Sequence, residues 1–119
     1  MVVRRIVPNL KTSDPTGCAE FYRRVFGLDV LMDMDWIVTM GERDTTSPLQ
    51  LSLAREGGSG TDVPDLSIEV DDLDATLARA EAAGHAIEYG PVEEPWGVRR
   101  FYIRDPSGAL LNVLTHQST

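Results

Sequence analysis

The sequence is poor in residues on which several classes of protein depend. It has a single cysteine, Cys18, so an internal disulfide is excluded, which is typical of proteins in reducing compartments. Its apolar runs are far shorter than the ~20 residues that a membrane-spanning helix needs. The first residues, from Met1 to Pro8, lack the apolar core of a signal peptide. We therefore expect a cytoplasmic protein.

Positive charge is also scarce. The chain carries 19 acidic residues against 11 basic ones, and the resulting formal net charge of −8 is spread along its length. Nucleic-acid binding needs a basic patch that contacts phosphates, so we do not expect nucleic acid as a partner. The acidic balance favours solubility, and it also leaves a cationic small-molecule ligand possible.

The first half of the chain predicts the order strand, helix, strand, strand, strand. Asp14 and Pro15 are typical of a helix start, and Gly27 is typical of a helix end. Pro8 suits a strand edge or a strand start. An apolar stripe recurs at helical spacing and consists of Cys18, Phe21, Tyr22, Val25 and Phe26. The predicted strands cover residues 6–11, 28–32, 36–40 and 49–54, and the last two are separated by a loop over 41–48.

The second half repeats this pattern after a glycine-rich segment over 57–60, which we interpret as a flexible linker. The spacing between Asp71 and Gly84 equals that between Asp14 and Gly27, so a second helix of similar length is predicted. The predicted strands cover residues 65–70, 85–89, 98–104 and 109–115. The repeat indicates a duplicated unit within a single domain, with halves at about 1–56 and 61–119.

Three motifs carry a family resemblance. They are Ser13-Asp14 followed by residues 21–28 (FYRRVFGL), residues 68–74 (IEVDDLD), and residues 101–110 (FYIRDPSGAL). In this order and spacing they resemble the vicinal-oxygen-chelate superfamily, which comprises glyoxalases, bleomycin-resistance proteins and extradiol dioxygenases. The resemblance implies an α+β fold, in which two βαβββ modules form a curved mixed sheet around a cup with the helices outside. It also implies a homodimer. Residues 95–101 are similar to bleomycin-resistance-like members, which bind a drug without reacting with it.

Metal-using members of this superfamily hold a divalent ion with His and Glu side chains. The resemblance places the matching positions at Val7, Gln50 or Ser52, Asp65 and Asn112. Only Asp65 is a strong ligand among them, because divalent metals of this kind prefer imidazole and carboxylate groups. We therefore expect no metal, no other cofactor and no metal-dependent catalysis.

Side-chain alternation along the predicted strands indicates which residues face a ligand. Leu66, Ile68 and Val70 would face the helices, so the residues between them face the other way. On strand 98–104 we assign Phe101 and Ile103 to the helix side, although the opposite assignment stays open. The predicted ligand-binding residues are Trp36, Gln50, Ser52, Asp65, Glu69, Trp96, Arg100, Tyr102 and Asn112.

Other reactive side chains have simpler interpretations. The two histidines, His85 and His116, have no carboxylate at ligand spacing in the sequence, so we interpret both as surface or helix-end residues. We expect Cys18 to be a small buried side chain, and Glu93-Glu94 to lie in a solvated acidic loop. No residue is assigned as catalytic.

The main functional hypothesis is a non-catalytic binder that sequesters a bulky, planar or cationic small molecule, such as an antibiotic or another natural product. The alternative is a lyase, isomerase or dioxygenase of the same superfamily. That enzyme would use an atypical metal site, or Asp65 or Glu69 as a general base without a metal. A third possibility is an accessory domain that only dimerises.

Overall fold

The computed structural model describes residues 1–43 and 49–117, and it consists of two compact units. The first unit is Val7–Val63, and the second unit combines Met1–Ile6 with Pro64–Thr119. Part of the predicted loop over 41–48 lies outside the described residues. Neither helix in the described ranges has the length and apolar character that a bilayer crossing requires.

The first unit contains one helix and a four-stranded sheet. Strands β4 and β1 pair in parallel, whereas the β2–β3 and β3–β4 pairs are antiparallel, and the strand order is β2-β3-β4-β1. The elements are β1 (Val3–Lys11), α1 (Pro15–Phe26), β2 (Asp29–Asp33), β3 (Ile37–Gly41) and β4 (Gln50–Ala54).

The second unit repeats this arrangement. Strands β5 and β8 pair in parallel, and the strand order is β5-β8-β7-β6, with the first residues of β1 beside β5. The predicted α+β class and both βαβββ modules are confirmed. The elements are β5 (Leu66–Val70), α2 (Leu73–Ala82), β6 (Tyr89–Glu94), β7 (Val98–Arg104) and β8 (Leu110–His116).

The prediction that Pro8 marks an edge or a strand start is wrong. Strand β1 stands between β4 and β5 in the strand order, and Pro8 lies in its interior. Proline has no N–H group to donate to a neighbouring strand. Proline is tolerated there because β1 pairs with β4 only over Asn9–Lys11, while Val3–Ile6 belong to the second unit.

Side-chain caps fix the starts of both helices. The Asp14 carboxylate accepts a hydrogen bond from the Gly17 N–H at 3.0 Å, and Asp72 accepts one from the Ala75 N–H at 3.0 Å. Such caps satisfy backbone donors that the first helical turn leaves unpaired. Gly27 follows α1 with φ of 70°, a left-handed conformation that glycine adopts without steric cost.

The apolar stripe of α1 is buried only in part. Ala19 packs in the core with Val38, Met40 and Leu53, and Cys18 is half-buried beside them. The predicted stripe is wrong at three positions, because the apolar arc is wider than the part of the helix that covers the sheet. The exposed fractions are 54% for Phe21, 58% for Val25 and 63% for Phe26.

One strand prediction and one loop prediction are also wrong. The strand predicted over 85–89 begins at Tyr89 instead and continues to Glu94. The segment over 57–60 is a structured turn, in which the Gly57 N–H donates to the Thr61 carbonyl at 2.8 Å and Gly57 is buried. Glycine content alone does not distinguish a flexible linker from a turn that requires left-handed backbone.

Candidate ligand-binding site

The face of the second unit's sheet that lies opposite α2 carries its polar side chains. Val70, Phe101 and Val113 pack with Leu73 of α2, so the residues that alternate with them point the other way. This confirms the assignment of Phe101 to the helix side. We call the opposite surface the polar face; it consists of Ser67, Glu69, Tyr89, Glu94, Arg100, Tyr102, Asn112, Leu114 and His116.

One row of side chains crosses this face at the level of Asn112. In the strand registers Asn112 stands opposite Ser67 on one side and Tyr102 on the other, and Tyr102 stands opposite Tyr89. The Asn112 amide nitrogen donates to the Ser67 hydroxyl at 3.1 Å. Side chains opposite one another in a sheet have Cβ atoms about 5 Å apart, so the four form one continuous surface.

Asn112 contains an unusual acceptor. Its side chain is 9% exposed, and no group in the described ranges donates to its buried Oδ1 atom. Leaving a buried polar atom without a partner costs about 1–3 kcal/mol, and such atoms are rare in folded proteins. The Asn112 oxygen is therefore suited to receive a hydrogen bond from a bound molecule.

A buried ion pair lies beside this row. Arg100 Nη2 is 2.6 Å from Glu94 Oε2, and both side chains are 3% exposed. The Tyr89 hydroxyl donates to the same Glu94 oxygen at 3.0 Å, and Arg100 Nη1 donates to the Tyr102 hydroxyl at 2.9 Å. A charge this deeply buried is tolerated only when it is paired and hydrogen-bonded, so the network holds these side chains in fixed positions.

Aromatic rings enclose the guanidinium group of this pair. The guanidinium carbon of Arg100, Cζ, lies 4.9 Å from the ring centroid of Tyr102, 5.0 Å from that of Trp96 and 5.4 Å from that of Tyr89. These separations are within the range of cation–π attraction. The ion pair therefore fixes three aromatic rings together with its own charges.

The local sequence explains how β6 reaches this network. Gly90 has φ of 80°, and a Cβ atom at this position would lie 2.5 Å from the Arg100 carbonyl oxygen. Only glycine fits there, and the strand register shifts between Tyr89 and Val92. The turn after β6 then places Glu94 opposite Val98. The prediction that Glu94 lies in a solvated loop is wrong, whereas Glu93 is exposed.

A second charged group occupies the end of the face. Glu69 Oε1 accepts from Arg5 Nε at 2.6 Å, and Glu69 Oε2 lies 2.7 Å from His116 Nδ1. Burial acts to raise the pKa of Glu69, but the hydrogen bond from His116 and the charge of Arg5 outweigh it and hold that pKa below its usual value. His116 is a surface residue, as interpreted from the sequence, since its side chain is 51% exposed. Its carboxylate partner, Glu69, was missed because 47 residues separate the two in the sequence.

The structure therefore brings together five of the predicted ligand-binding residues in the second unit. These five are Glu69, Trp96, Arg100, Tyr102 and Asn112. The sixth predicted residue of this unit, Asp65, lies just before β5, and its carboxylate accepts from the Leu110 N–H at 2.8 Å. Sequence reasoning missed two members of the network, Tyr89 and Glu94.

The remaining predicted residues belong to the first unit. The Ser52 hydroxyl is buried and lies 2.7 Å from the Thr39 hydroxyl. Gln50 is half-buried at the start of β4, and Trp36 is half-buried just before β3.

The residues present do not fit the divalent metal that the resemblance implies. Val7 offers no donor atom, the Asp65 carboxylate is engaged with backbone, and Asn112 is a weak amide ligand. Within residues 1–43 and 49–117, no three side chains of His, Cys, Asp or Glu are grouped as a metal would require. The group that contacts Glu69 besides His116 is the cation Arg5, not a third anionic or neutral metal ligand.

Comparison with known proteins agrees with this architecture. The model of the Glyoxalase/Bleomycin resistance protein/Dioxygenase superfamily matches residues 6–113. The chain belongs to this superfamily. The resemblance inferred from the sequence motifs is thereby confirmed.

Solved structures of chains of similar length share the fold at low sequence identity. A structure described as NAD-dependent benzaldehyde dehydrogenase from Legionella pneumophila has a TM-score of 0.73 and 16% identity, covering 94% of this chain and 99% of that one. A superfamily member from Vibrio splendidus 12B01 has a TM-score of 0.64 and 19% identity, covering 97% and 99%. Methylmalonyl-CoA epimerase from Mycobacterium tuberculosis has a TM-score of 0.65 and 16% identity, covering 98% and 88%.

No protein with a curated function matches this chain. At these identities the structural neighbours show the fold alone, and their differing descriptions show that this fold serves more than one activity.

Proposed function

We propose that this superfamily member is a small-molecule binding protein that holds its ligand on the polar face of the second unit without a catalytic metal. The observation that carries the proposal is the buried Oδ1 atom of Asn112, which receives no hydrogen bond within the described ranges. An acceptor of this kind suits a ligand that donates an N–H or O–H group.

The aromatic groups beside Asn112 indicate the shape of the ligand. Tyr102 is the cross-strand neighbour of Asn112, and its ring lies 5.3 Å from that of Tyr89. Trp96 adds a third ring, over Arg100. Fixed aromatic surfaces next to a single polar contact favour a planar molecule, because stacking supplies affinity and the hydrogen bond supplies orientation. A planar antibiotic or another natural product that carries a donor group fits this description.

The alternative is a metal-dependent lyase, isomerase or dioxygenase of the same superfamily. The donor set at Val7, Gln50 or Ser52, Asp65 and Asn112 does not favour it, since it contains one carboxylate and no imidazole. Metal analysis of untagged protein, expressed with Fe, Mn, Ni, Co and Zn supplied, tests this alternative. We expect well below one metal ion per chain. Stoichiometric metal that is lost in Asp65→Ala would contradict our proposal.

The binding proposal is tested by a thermal-shift screen of planar natural products, followed by calorimetry of each compound that binds. Asn112→Leu keeps the approximate shape of the side chain and removes the acceptor, whereas Asn112→Asp keeps an acceptor oxygen. We expect Asn112→Leu to weaken binding at least tenfold, which corresponds to the ~1.4 kcal/mol or more that a lost buried hydrogen bond costs. Equal affinity of wild type and Asn112→Leu would show that the ligand does not use this face.

Two further expectations stay predictions. They are a homodimer, which sedimentation equilibrium can check, and a cytoplasmic location, which fractionation of the source cells can check.

A further inference from the structure

We infer that His116, held by Glu69, is a proton-accepting group of the polar face and that it suits a ligand with a weakly acidic O–H, a phenol or an enol. This inference rests on the proposed function only in assuming that a ligand occupies the face. It adds the chemical class of that ligand and assigns a role to a pair that the proposed hydrogen bond to Asn112 does not use.

The geometry fixes which nitrogen of His116 is available. Nδ1 lies 2.7 Å from Glu69 Oε2, and an ionised carboxylate can only accept a hydrogen bond. Neutral His116 must therefore carry its proton on Nδ1, which leaves the lone pair on Nε2. The imidazole side chain is 51% exposed, so a molecule can approach that nitrogen.

Glu69 is fixed as an ionised group. Its other oxygen accepts from Arg5 at 2.6 Å, and its side chain is 15% exposed. The charged group that contacts Glu69 besides His116 is Arg5 on β1. The other neighbours of His116 are apolar. Val98 stands opposite it on β7, and Leu114 is two residues before it on β8. A carboxylate held in this way orients an imidazole and stabilises the imidazolium that forms when the ring gains a proton.

The reaction is a single proton transfer. The ligand O–H bond breaks, its electron pair stays on oxygen, and the proton forms a new N–H bond with His116 Nε2. The products are a bound phenolate or enolate and an imidazolium next to the Glu69 carboxylate. Nothing is oxidised or reduced, and no co-reactant is needed. Such a pair retains an acidic phenol in its ionised form, and it removes the same proton in any reaction that begins from an enol.

The position of the pair agrees with the rest of the polar face. Glu69 and Ser67 are two residues apart on β5 and therefore share one face of the strand. His116 is four residues beyond Asn112 on β8. At about 3.3 Å per residue, Asn112, which offers a hydrogen-bond acceptor, and His116, which accepts a proton, are about 13 Å apart along the strand. A ligand that contacts both would have the length of a fused multi-ring molecule, in agreement with the planar ligand proposed above.

The first test uses no ligand. Two-bond ¹⁵N–¹H NMR correlation of the imidazole rings, at a pH where both histidines are neutral, identifies the protonated nitrogen of each ring. We expect the Nδ1–H form for His116, assigned by its loss in His116→Gln, with His85 as the reference ring within the same chain. Glu69→Leu removes the acceptor and should shift His116 toward the Nε2–H form, whereas Glu69→Gln keeps an acceptor and should retain part of the Nδ1–H population. An Nε2–H form in wild type would overturn the inference and leave the proposed function standing.

The second test measures proton transfer with 4-nitrophenol as the probe. At a pH where the free probe is partly ionised, wild-type protein should increase the yellow phenolate fraction, and His116→Gln should reduce this increase at least threefold. His85→Gln is the matched control and should behave as wild type. No increase with wild type, or an equal increase with His116→Gln, would overturn the ligand class. Asn112→Leu, tested in the same way, separates a failure of His116 from a failure of the face as a binding surface.

Discussion

The two units share a backbone pattern but differ in what they place on it. In the first unit Ser52 stands opposite Asn9 on one side and Thr39 on the other. In the second unit the corresponding row has Asn112 in the position of Ser52, flanked by Ser67 and Tyr102. The same asparagine–serine pair therefore occurs in both units with the two residues exchanged between strands.

This exchange changes what each row can do. Ser52 and Thr39 satisfy one another through a hydroxyl pair at 2.7 Å. Asn112 donates to Ser67, but its own oxygen receives no hydrogen bond within the described ranges. One row is closed by its own hydrogen bonds, and the other keeps an acceptor to which no group in the described ranges donates. Under the proposed function, a duplicated frame restricts binding to one copy through a few side chains.

The next row differs more strongly. Two residues before Thr39 the first unit has Ile37, and two residues before Tyr102 the second unit has Arg100. A half-buried apolar side chain in one unit corresponds to a buried ion pair surrounded by aromatic rings in the other. Substitutions at corresponding positions of the two units test this contrast.

Arg100→Met should destabilise the protein by about 3–5 kcal/mol, because it leaves the Glu94 carboxylate buried without its partner. Ile37→Val, at the corresponding position of the first unit, should cost only about 0.5–1.5 kcal/mol. Urea unfolding followed by tryptophan fluorescence measures both. The double variant Glu94→Gln/Arg100→Met should recover much of the loss. A cost below ~1 kcal/mol for Arg100→Met would show that the pair is not buried as the structure has it.

Trp96→Ala should weaken binding of a screened ligand by about 2 kcal/mol, since buried aromatic anchors commonly contribute that much. Isothermal calorimetry measures the loss. Trp36→Ala is the matched variant in the first unit, and its effect reports how much that unit contributes to affinity. Unchanged affinity in Trp96→Ala would remove this ring from the site.

Ser52→Ala should cost about 1 kcal/mol, because it removes one of two buried hydroxyls that bond to each other. Asn112→Leu should cost no more than this in the ligand-free protein, because the lost hydrogen bond to Ser67 is offset by removing an acceptor that has no donor in the described ranges. Thermal unfolding without ligand compares the two. A larger loss for Asn112→Leu than for Ser52→Ala would mean that the Asn112 oxygen is satisfied in the free protein.

The acid titration of two glutamates should separate a more exposed carboxylate from a less exposed one, since the side chain is 42% exposed at Glu20 and 15% exposed at Glu69. Hydrogen bonds from Arg23 and Arg24 lower the pKa of Glu20 from 4.5 to about 2, and the pKa of Glu69 is lowered as well. Each group therefore contributes stability that is present above its unfolded pKa and is lost as the pH falls through its folded pKa.

Carboxyl ¹³C NMR against pH should find a Glu20 midpoint near 2 and a Glu69 midpoint below 4.5. Added salt should raise the Glu20 midpoint more than that of Glu69, because exposed charges are screened more strongly. An equal response to salt would indicate that Glu69 is as solvated as Glu20.

Local patterns predicted much of the fold and one side of the site. The Asp14 cap, the bounds of β7 and the alternation of Phe101 with Tyr102 follow from rules that act within a few residues. The mistakes arise where distant segments meet. Nothing near Glu94 shows that it is buried, since its partner Arg100 is in the next strand and the register of that hairpin depends on Gly90. The exposure of Phe26 likewise depends on how much of the sheet α1 covers.

Residue types and their spacing along the chain were sufficient to predict the duplicated βαβββ order, the superfamily and the poor metal-ligand set at Val7, Asp65 and Asn112. Which polar groups are satisfied depends instead on the tertiary structure. It paired Glu69 with His116 and Glu94 with Arg100, and it left the Asn112 oxygen without a donor in the described ranges. Hydrogen bonding depends on positions within ~3 Å, and strand register sets those positions for residues far apart in the chain.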